Sequence, residues 1–243
     1  MRNLSLFTFL TLFILTACHS TPAENQQQTT QPKENPQNKK KVNIIRKPLN
    51  IPYEFSYITN LGSVDIFYSQ GDYSIDIEGD SAMLQHLDAD FDSSMLTVSI
   101  KTDRNNEVNL FGSKSNVRLY ISCPTLHCVS VCGSGNFEST SAWKGENLRL
   151  GVLGTGTLKV GQVECETAII ESSNIGNITI DNLQAREATI YSRSSANINM
   201  NLDVDNLTVL NEGKQSITLT GSAKNTLIKN PNDEKLILAE LRE

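Results

Sequence analysis

Four cysteines and one histidine form the densest group of potentially reactive side chains in the sequence. Cys123, Cys128 and Cys132 follow the spacing C-x4-C-x3-C, His127 stands beside Cys128, and Cys165 lies further along the chain. Thiolates and imidazoles of this kind bind zinc, but zinc sites usually present C-x2–4-C pairs on turns, and a second pair at matching spacing is missing here. We therefore predict no metal site and no cofactor.

Two other interpretations of these cysteines stay open. In an oxidising compartment Cys123, Cys128, Cys132 and Cys165 would form one or two disulfides, and four cysteines allow three full pairings. Alternatively they are small buried apolar side chains, since Cys128 stands at the repeat position that Leu150 fills in the next repeat.

Asp88, Asp90 and Asp92 form a carboxylate cluster that resembles the start of a calcium-binding loop. Ser93 replaces the glycine that such a loop requires, and Ser99 stands where its bidentate glutamate should be. Apolar residues alternate with the three acids, so we predict a solvated strand at a sheet edge.

The sequence offers no set of residues for catalysis. Its only histidines are His19, His86 and His127, and no Ser-His-Asp arrangement can be drawn from them. No acidic cluster recurs along the chain with basic partners, as a polysaccharide-degrading enzyme would require. We predict that the protein is not an enzyme, with a polysaccharide-degrading enzyme of the cell envelope as the alternative.

Two glycine pairs, Gly133/Gly135 and Gly154/Gly156, look at first like a phosphate-binding loop. Such a loop needs a following helix whose amino terminus faces the anion, whereas alternating apolar residues predict a strand after each pair. We therefore interpret these glycines as turn residues with positive φ.

The amino terminus has the features of a bacterial lipoprotein signal. Arg2 precedes an apolar run over residues 4–15, and Leu15-Thr16-Ala17-Cys18 resembles a lipobox. The run is too short to span a bilayer. We predict a signal peptide over residues 1–17 and lipidation of Cys18. No Asp follows Cys18, which favours an outer-membrane lipoprotein; the periplasmic and the cell-surface face both stay open.

Composition separates a tether from a folded domain. Residues 18–47, rich in Gln, Asn, Pro and Lys, are predicted to be a disordered polar tether after the lipidated cysteine. The domain over residues 48–243 carries 14 basic and 25 acidic side chains, a net charge of −11. Because this charge repels phosphate backbones, we exclude nucleic acid as a partner.

A repeat of about 20 residues runs through the second half of the domain. Small or polar turns begin at residues 133, 154, 174, 194, 213 and 232, and each is flanked by apolar residues that alternate with period two. Two short strands per repeat, stacked on their neighbours, predict an all-β fold, a parallel β-helix or β-solenoid. Five asparagines near the turns are expected to tolerate left-handed backbone and to hydrogen-bond along the stack: Asn174, Asn177, Asn197, Asn199 and Asn211.

The first half of the domain is less regular. Residues 64–68, 73–77, 96–100 and 117–121 all alternate and predict strands, and Gly71-Asp72 is typical of a hairpin turn. A short helical turn is predicted over residues 82–87.

The order of these segments resembles one known family. Gln70-Gly71-Asp72-Tyr73 leads into Ile75-Asp76-Ile77-Glu78-Gly79 and the acidic stretch LDADFDSSMLTVSI, and VRLYISCPTLHCVSVCGSGNFES follows. This order resembles the putative auto-transporter adhesin, head GIN domain family, common among Bacteroidetes lipoproteins, over about residues 50–240. The resemblance implies a β-helical fold and an adhesive role, and it supplies no catalytic residues.

Together these features predict a membrane-anchored β-helix that acts as a binding module. The membrane would be contacted through the lipid anchor, and a glycan or an envelope or surface protein is the expected ligand. Tyr120, Trp143 and Tyr191 are the candidate contact residues. A scaffold without a tight ligand is the remaining alternative.

Overall fold

The computed structural model describes residues 43–101, 116–193, 195–214, 216–229 and 236–242. These residues form sixteen strands and one single-turn helix, α1, Ser81–Leu84. The strands are β1 Ile44–Pro48, β2 Tyr57–Asn60, β3 Asp65–Gln70, β4 Ser74–Asp80, β5 Leu87–Asp92, β6 Met95–Ile100, β7 Arg118–Cys123, β8 Cys128–Val131, β9 Phe137–Ser139, β10 Trp143–Lys144, β11 Asn147–Val152, β12 Leu158–Ser172, β13 Ile178–Ser192, β14 Ile198–Asn211, β15 Ile217–Lys229 and β16 Leu236–Arg242.

Strands β11 to β16 stack in parallel, one repeat above the next. We call each repeat a rung. Ile170 of β12 lies opposite Ile190 of β13, which in turn lies opposite Val209 of β14. The number of residues from each of these side chains to its partner on the next strand equals the repeat length in the sequence. The predicted parallel β-solenoid is therefore confirmed.

Aliphatic rows along the stack form the core. Leu150, Ile170, Ile190 and Val209 make one row, and each is at most 1% exposed. A second row, on the other side of each turn, consists of Leu158, Ile178, Ile198 and Ile217, with the same degree of burial. Because every rung adds a side chain to each row, burial of about 1.5–3 kcal/mol per side chain accumulates with each repeat.

The turn glycines are required by close backbone contact between rungs. A Cβ on Gly156 would lie 1.8 Å from the carbonyl oxygen of Gly135, and one on Gly176 would lie 1.9 Å from that of Gly156. The turns also hydrogen-bond to one another, since the amide of Gly156 donates to the carbonyl of Gly133 at 3.1 Å. Among the described glycines only Gly221 has a positive φ. The interpretation of Gly133, Gly135, Gly154 and Gly156 as positive-φ turn residues is therefore wrong.

Side-chain hydrogen bonds also link the rungs at the turns. The Asn177 side-chain oxygen accepts from the amide of Asn197 at 2.9 Å, and that of Asn136 accepts from the amide of Thr157 at 3.0 Å. Hydrogen bonding of asparagine along the stack is thus confirmed. The left-handed backbone expected at these positions is not observed, because Ser93 is the one described non-glycine residue with positive φ.

The first half of the domain contains a rung inserted out of chain order. Ile58 of β2 lies between Leu96 of β6 and Val129 of β8. On the other side of the turn, β3 lies between β7 and β9. The first rung in the chain is therefore the second in the stack, and later segments pack on both of its edges.

Antiparallel strands close this end of the stack. β4 pairs antiparallel with β7, β1 pairs antiparallel with β4, and β5 pairs antiparallel with β6. The hairpin predicted at Gly71-Asp72 is wrong, because β7 lies between β3 and β4. The predicted helical turn is present as α1, and the Asp80 side chain caps it by accepting from the amide of Ala82.

The described β structure begins before the expected domain boundary. Strand β1 starts at Ile44, whereas the tether was expected to reach residue 47. Pairing with β4 satisfies the backbone hydrogen bonds of this segment, and Arg46 forms an ion pair with Asp76 at 3.0 Å.

The predicted signal peptide and Cys18 lie outside the described residues. No helix in the described part of the chain is long and apolar enough to cross a membrane.

Alanine substitutions at Gly156 and Gly161 test the close packing of the turns. Gly156→Ala should lower the free energy of unfolding by about 2 kcal/mol or more, because its new methyl group would overlap the neighbouring rung. Gly161→Ala should leave it nearly unchanged, since a Cβ there meets no atom within 4 Å. Urea denaturation followed by circular dichroism measures both. Equal stability of the two variants would contradict the close packing of the turns.

Candidate ligand-binding groove

One outer face of the solenoid carries an open groove. The face consists of the outward side chains of β6, β2, β8, β11 and residues 167–172 of β12, and we call it the groove face. The groove has a volume of about 640 Å³. Tyr57, Met95 and Leu153 contribute exposed apolar surface, and Arg149 and Glu171 contribute charge.

The strand register brings these residues together from distant parts of the chain. Tyr57 lies opposite Met95 on one side and Cys128 on the other, and Cys128 lies opposite Arg149. The inserted rung thus places Tyr57 in the groove, which sequence order alone would not do.

Gly151 is a buried residue between residues that line the groove. It lies on the same strand as Arg149, and opposite Ser130 and Glu171 on the neighbouring strands. A Cβ built at Gly151 would meet no atom closer than 3.9 Å. A larger side chain at this position would therefore fit without a clash beside the groove-lining residues Ser130, Arg149 and Glu171.

An ion pair dominates the electrostatics of the groove. Arg149 donates from Nε at 3.0 Å and from Nη2 at 2.8 Å to the Glu171 carboxylate. These hydrogen bonds, and then the carboxylate charge, raise the pKa of Arg149, so the guanidinium stays protonated. The Arg149 side chain is 56% exposed and that of Glu171 is 26% exposed. At such exposure the pair adds little stability, but it holds two planar polar groups in a fixed position.

An aromatic surface lies two strands from Arg149, with Cys128 between them. The Tyr57 ring is 43% exposed, and its centroid lies 6.1 Å from that of His127, with the ring planes tilted by 51°. Tyr57 is one of the residues that line the groove.

Cys128 faces the groove, against the sequence-based expectation. The register pairs Leu150 with Val129, and Cys128 with Arg149, so Cys128 does not occupy the core position of Leu150. The sequence analysis aligned Leu126 with Leu148, which would place Cys128 opposite Leu150. In the structure the two strands are shifted by one residue from that alignment, and a shift of one residue turns the Cys128 side chain to the other face of the sheet.

All four described cysteines are free thiols. Cys123 is buried, the other three are partly buried, and those in strands do not lie opposite one another in the register. Burial raises the pKa of Cys123 and that of Cys165 to about 11, and it also raises the pKa of Cys128 and Cys132. Because the thiolate is the nucleophile and the metal ligand, these thiols are poorly reactive at neutral pH. The disulfides stay a prediction.

The predicted contact aromatics are not brought together. Trp143 is 0% exposed, and its indole Nε1 donates to the carbonyl of Leu126 at 3.2 Å, so its assignment as a surface contact is wrong. Tyr120 lies outside the groove lining on β7, which pairs with β3 and β4. Its ring is stacked on Phe67 at 5.3 Å and covered by the Arg46 guanidinium at 4.0 Å.

Tyr191 is the predicted contact residue that lies next to the groove. It is 41% exposed and pairs in register with Glu171, one strand beyond the groove lining. The sequence analysis missed Tyr57, Arg149 and Glu171. Their signal is weak, because all three stand at outward positions of alternating strands. Arg149 and Glu171 meet through the regular β11–β12 register, and the inserted rung adds Tyr57.

The acidic trio lies on an edge strand, as expected. Asp88, Asp90 and Asp92 are in β5, whose described partner is β6, and Asp88 forms an ion pair with Lys101 at 2.8 Å. Within the described ranges no three His, Cys, Asp or Glu side chains are grouped closely enough to hold a metal ion.

Comparison with solved structures finds the same fold in three bacterial proteins. A putative adhesin from Bacteroides fragilis is 18% identical with a TM-score of 0.61, and the match covers 82% of this chain and 96% of that one. A putative adhesin from Parabacteroides distasonis is 16% identical with a TM-score of 0.52, covering 83% and 96%. A putative lipid binding protein from the same species is also 16% identical, with a TM-score of 0.50, covering 82% and 97%.

A family model identifies the family of this chain. None of the curated proteins matches the chain. The model of the putative auto-transporter adhesin, head GIN domain, matches residues 54–181, more than half of the chain. The residues matched include the inserted rung, the groove-lining strands and the first regular rungs. The chain therefore belongs to the putative auto-transporter adhesin, head GIN domain family.

Proposed function

We propose that the protein is a lipid-anchored, non-catalytic binding module that holds its ligand in the groove on the groove face. The observation that carries this proposal is the groove itself, an open depression lined by exposed apolar and polar side chains on a rigid sheet. The adhesin names of the family and of the structural neighbours support the same class of function.

The chemistry of the groove supports binding over catalysis. Hydrolysis of a glycosidic bond generally uses two carboxyl groups on opposite sides of that bond. The groove lining contains one carboxylate, Glu171, and Arg149 already engages both of its oxygens. The groove thiol of Cys128 has a pKa raised by burial, which disfavours a nucleophilic role.

The anchor completes the proposal. The lipobox at Leu15-Thr16-Ala17-Cys18 supports lipidation of Cys18 and attachment to the outer membrane, at its periplasmic or its cell-surface face. Two or three acyl chains suffice for stable attachment. The polar segment that follows supports a tether that holds the solenoid away from the lipid surface.

Lipidation is tested by metabolic labelling. The full chain expressed in a bacterium fed radioactive palmitate should become labelled and stay in the membrane fraction. Cys18→Ser should lose the label and accumulate as unprocessed precursor, while Cys165→Ser should behave like the parent. Labelling that survives Cys18→Ser would contradict the anchor.

The groove is tested by filling it. Beads that carry the protein should adhere to at least one member of a panel of immobilised glycans and envelope proteins. Gly151→Val should reduce this adhesion by about tenfold or more, because the new side chain would extend into the groove between Ser130, Arg149 and Glu171. Gly161→Val, which introduces the same side chain at an open position outside the groove, should leave adhesion unchanged.

Three results would contradict the binding proposal. Failure to adhere to the whole panel would favour the scaffold. New reducing ends in a bound polysaccharide would favour the envelope-degrading enzyme. Equal adhesion of the two valine variants would place the ligand elsewhere on the molecule.

A further inference from the structure

We propose that the ligand of the groove is an uncharged oligosaccharide, with one sugar ring packed against Tyr57 and the hydroxyl groups of a second sugar, further along the same chain, bound by the Arg149–Glu171 pair. This inference rests on the proposed function and specifies its ligand class. It draws on four properties of the groove: its charge, its aromatic surface, its polar groups and its length.

The charge of the groove favours a neutral ligand. The residues that line the groove include one arginine, Arg149, and one carboxylate, Glu171. The charges of these two side chains cancel within one bidentate pair. The chain as a whole carries a net charge of −6. An acidic polymer would find no unpaired cation in the groove lining and would be repelled by the rest of the domain.

The aromatic surface fits a sugar ring. The apolar C–H face of a pyranose packs flat against an aromatic ring, and Tyr57 offers a partly exposed ring beside the polar groups. Tyrosine combines a large apolar face with a hydroxyl group that reaches water or ligand. Met95 lies opposite Tyr57 in the register and extends the apolar surface.

The polar groups fit hydroxyl groups. Arg149 binds Glu171 through Nε and Nη2, which leaves Nη1 directed away from that carboxylate. Asn147, at the entry of the same strand, is exposed and lines the groove. Planar amide, guanidinium and carboxylate groups each present two hydrogen-bonding atoms, which match two neighbouring hydroxyl groups of one sugar.

The length of the groove fits a short chain of sugars. From β6 to β12 the groove crosses four interstrand spacings of about 4.8 Å each, or about 19 Å in total. One spacing is close to the length of one hexose residue, so about four residues fit across the strands. A protein partner is disfavoured, because a stable protein interface buries about 800 Å² on each side and the groove is narrower than such a patch.

Binding is measured on the full lipidated chain in phosphatidylcholine vesicles. The probes are neutral tetrasaccharides of glucose, mannose and N-acetylglucosamine, acidic tetrasaccharides that contain uronic acid, and palmitate. We expect at least one neutral tetrasaccharide to bind, and neither the acidic set nor palmitate to bind.

Matched variants identify the aromatic surface as the site. Tyr57→Ala should weaken binding by about tenfold, the size of an aromatic packing contribution. Tyr57→Phe should keep affinity within about threefold, because the ring remains. Tyr53→Ala removes a tyrosine that is 63% exposed outside the groove lining, and it should bind like the parent.

Cys128 supplies a second readout that needs no substitution. At about pH 9, where more of the thiol is ionised than at neutral pH, saturating tetrasaccharide should slow alkylation of Cys128 by N-ethylmaleimide by about fivefold or more, as expected where the bound ligand blocks access to the thiol. Alkylation of Cys165, which lies outside the groove lining, should proceed at an unchanged rate.

The outcomes separate this inference from the proposed function. Binding of only acidic sugars or palmitate, or binding that Tyr57→Ala leaves intact, overturns the inference. If the tetrasaccharides do not bind but adhesion still depends on Gly151, the ligand class is wrong and the binding module stands. If both fail, both proposals fall together.

Discussion

The constraint on which the structure depends is the fixed spacing between parallel rungs. Backbone amides and carbonyls of one rung pair with those of the next, and the turns come close enough that Gly135, Gly156 and Gly176 have no room for a Cβ. This spacing aligns Ile170, Ile190 and Val209 in one buried row. Each rung is too short to bury its own apolar residues, so the stack, and not the single repeat, is the unit that is stable.

The groove is a consequence of the same spacing. Side chains that point outward inherit the register of the core rows, so Cys128, Arg149 and Ile169 stand side by side on neighbouring strands. The inserted rung adds Tyr57 to this series. Where Arg149 meets Glu171, the charge is cancelled. The core rows thus set the positions of the side chains that line the groove.

The sequence predicts the back half of the fold well because its repeat length and its alternation are both visible in one chain. In the front half it predicts the strands β3, β4, β6 and β7 but not their order in the stack, since β2 pairs with β6 and β8 and no sequence period marks such distant partners. The error at Cys128 has the same origin: a one-residue difference in the step between rungs reverses a side chain. Trp143 was misplaced because aromatic residues at strand ends fill the core as readily as they face a ligand.

A pair of double-mutant cycles tests the stacking most directly. Ile170 and Ile190 are neighbours in a row, whereas Leu150 and Val209 have two rungs between them. Alanine substitutions at the neighbouring pair should show a coupling free energy of about 1 kcal/mol in urea unfolding, and those at the distant pair should add to within about 0.5 kcal/mol. Additive effects at Ile170 and Ile190 would contradict the shared row and, with it, the stacked architecture.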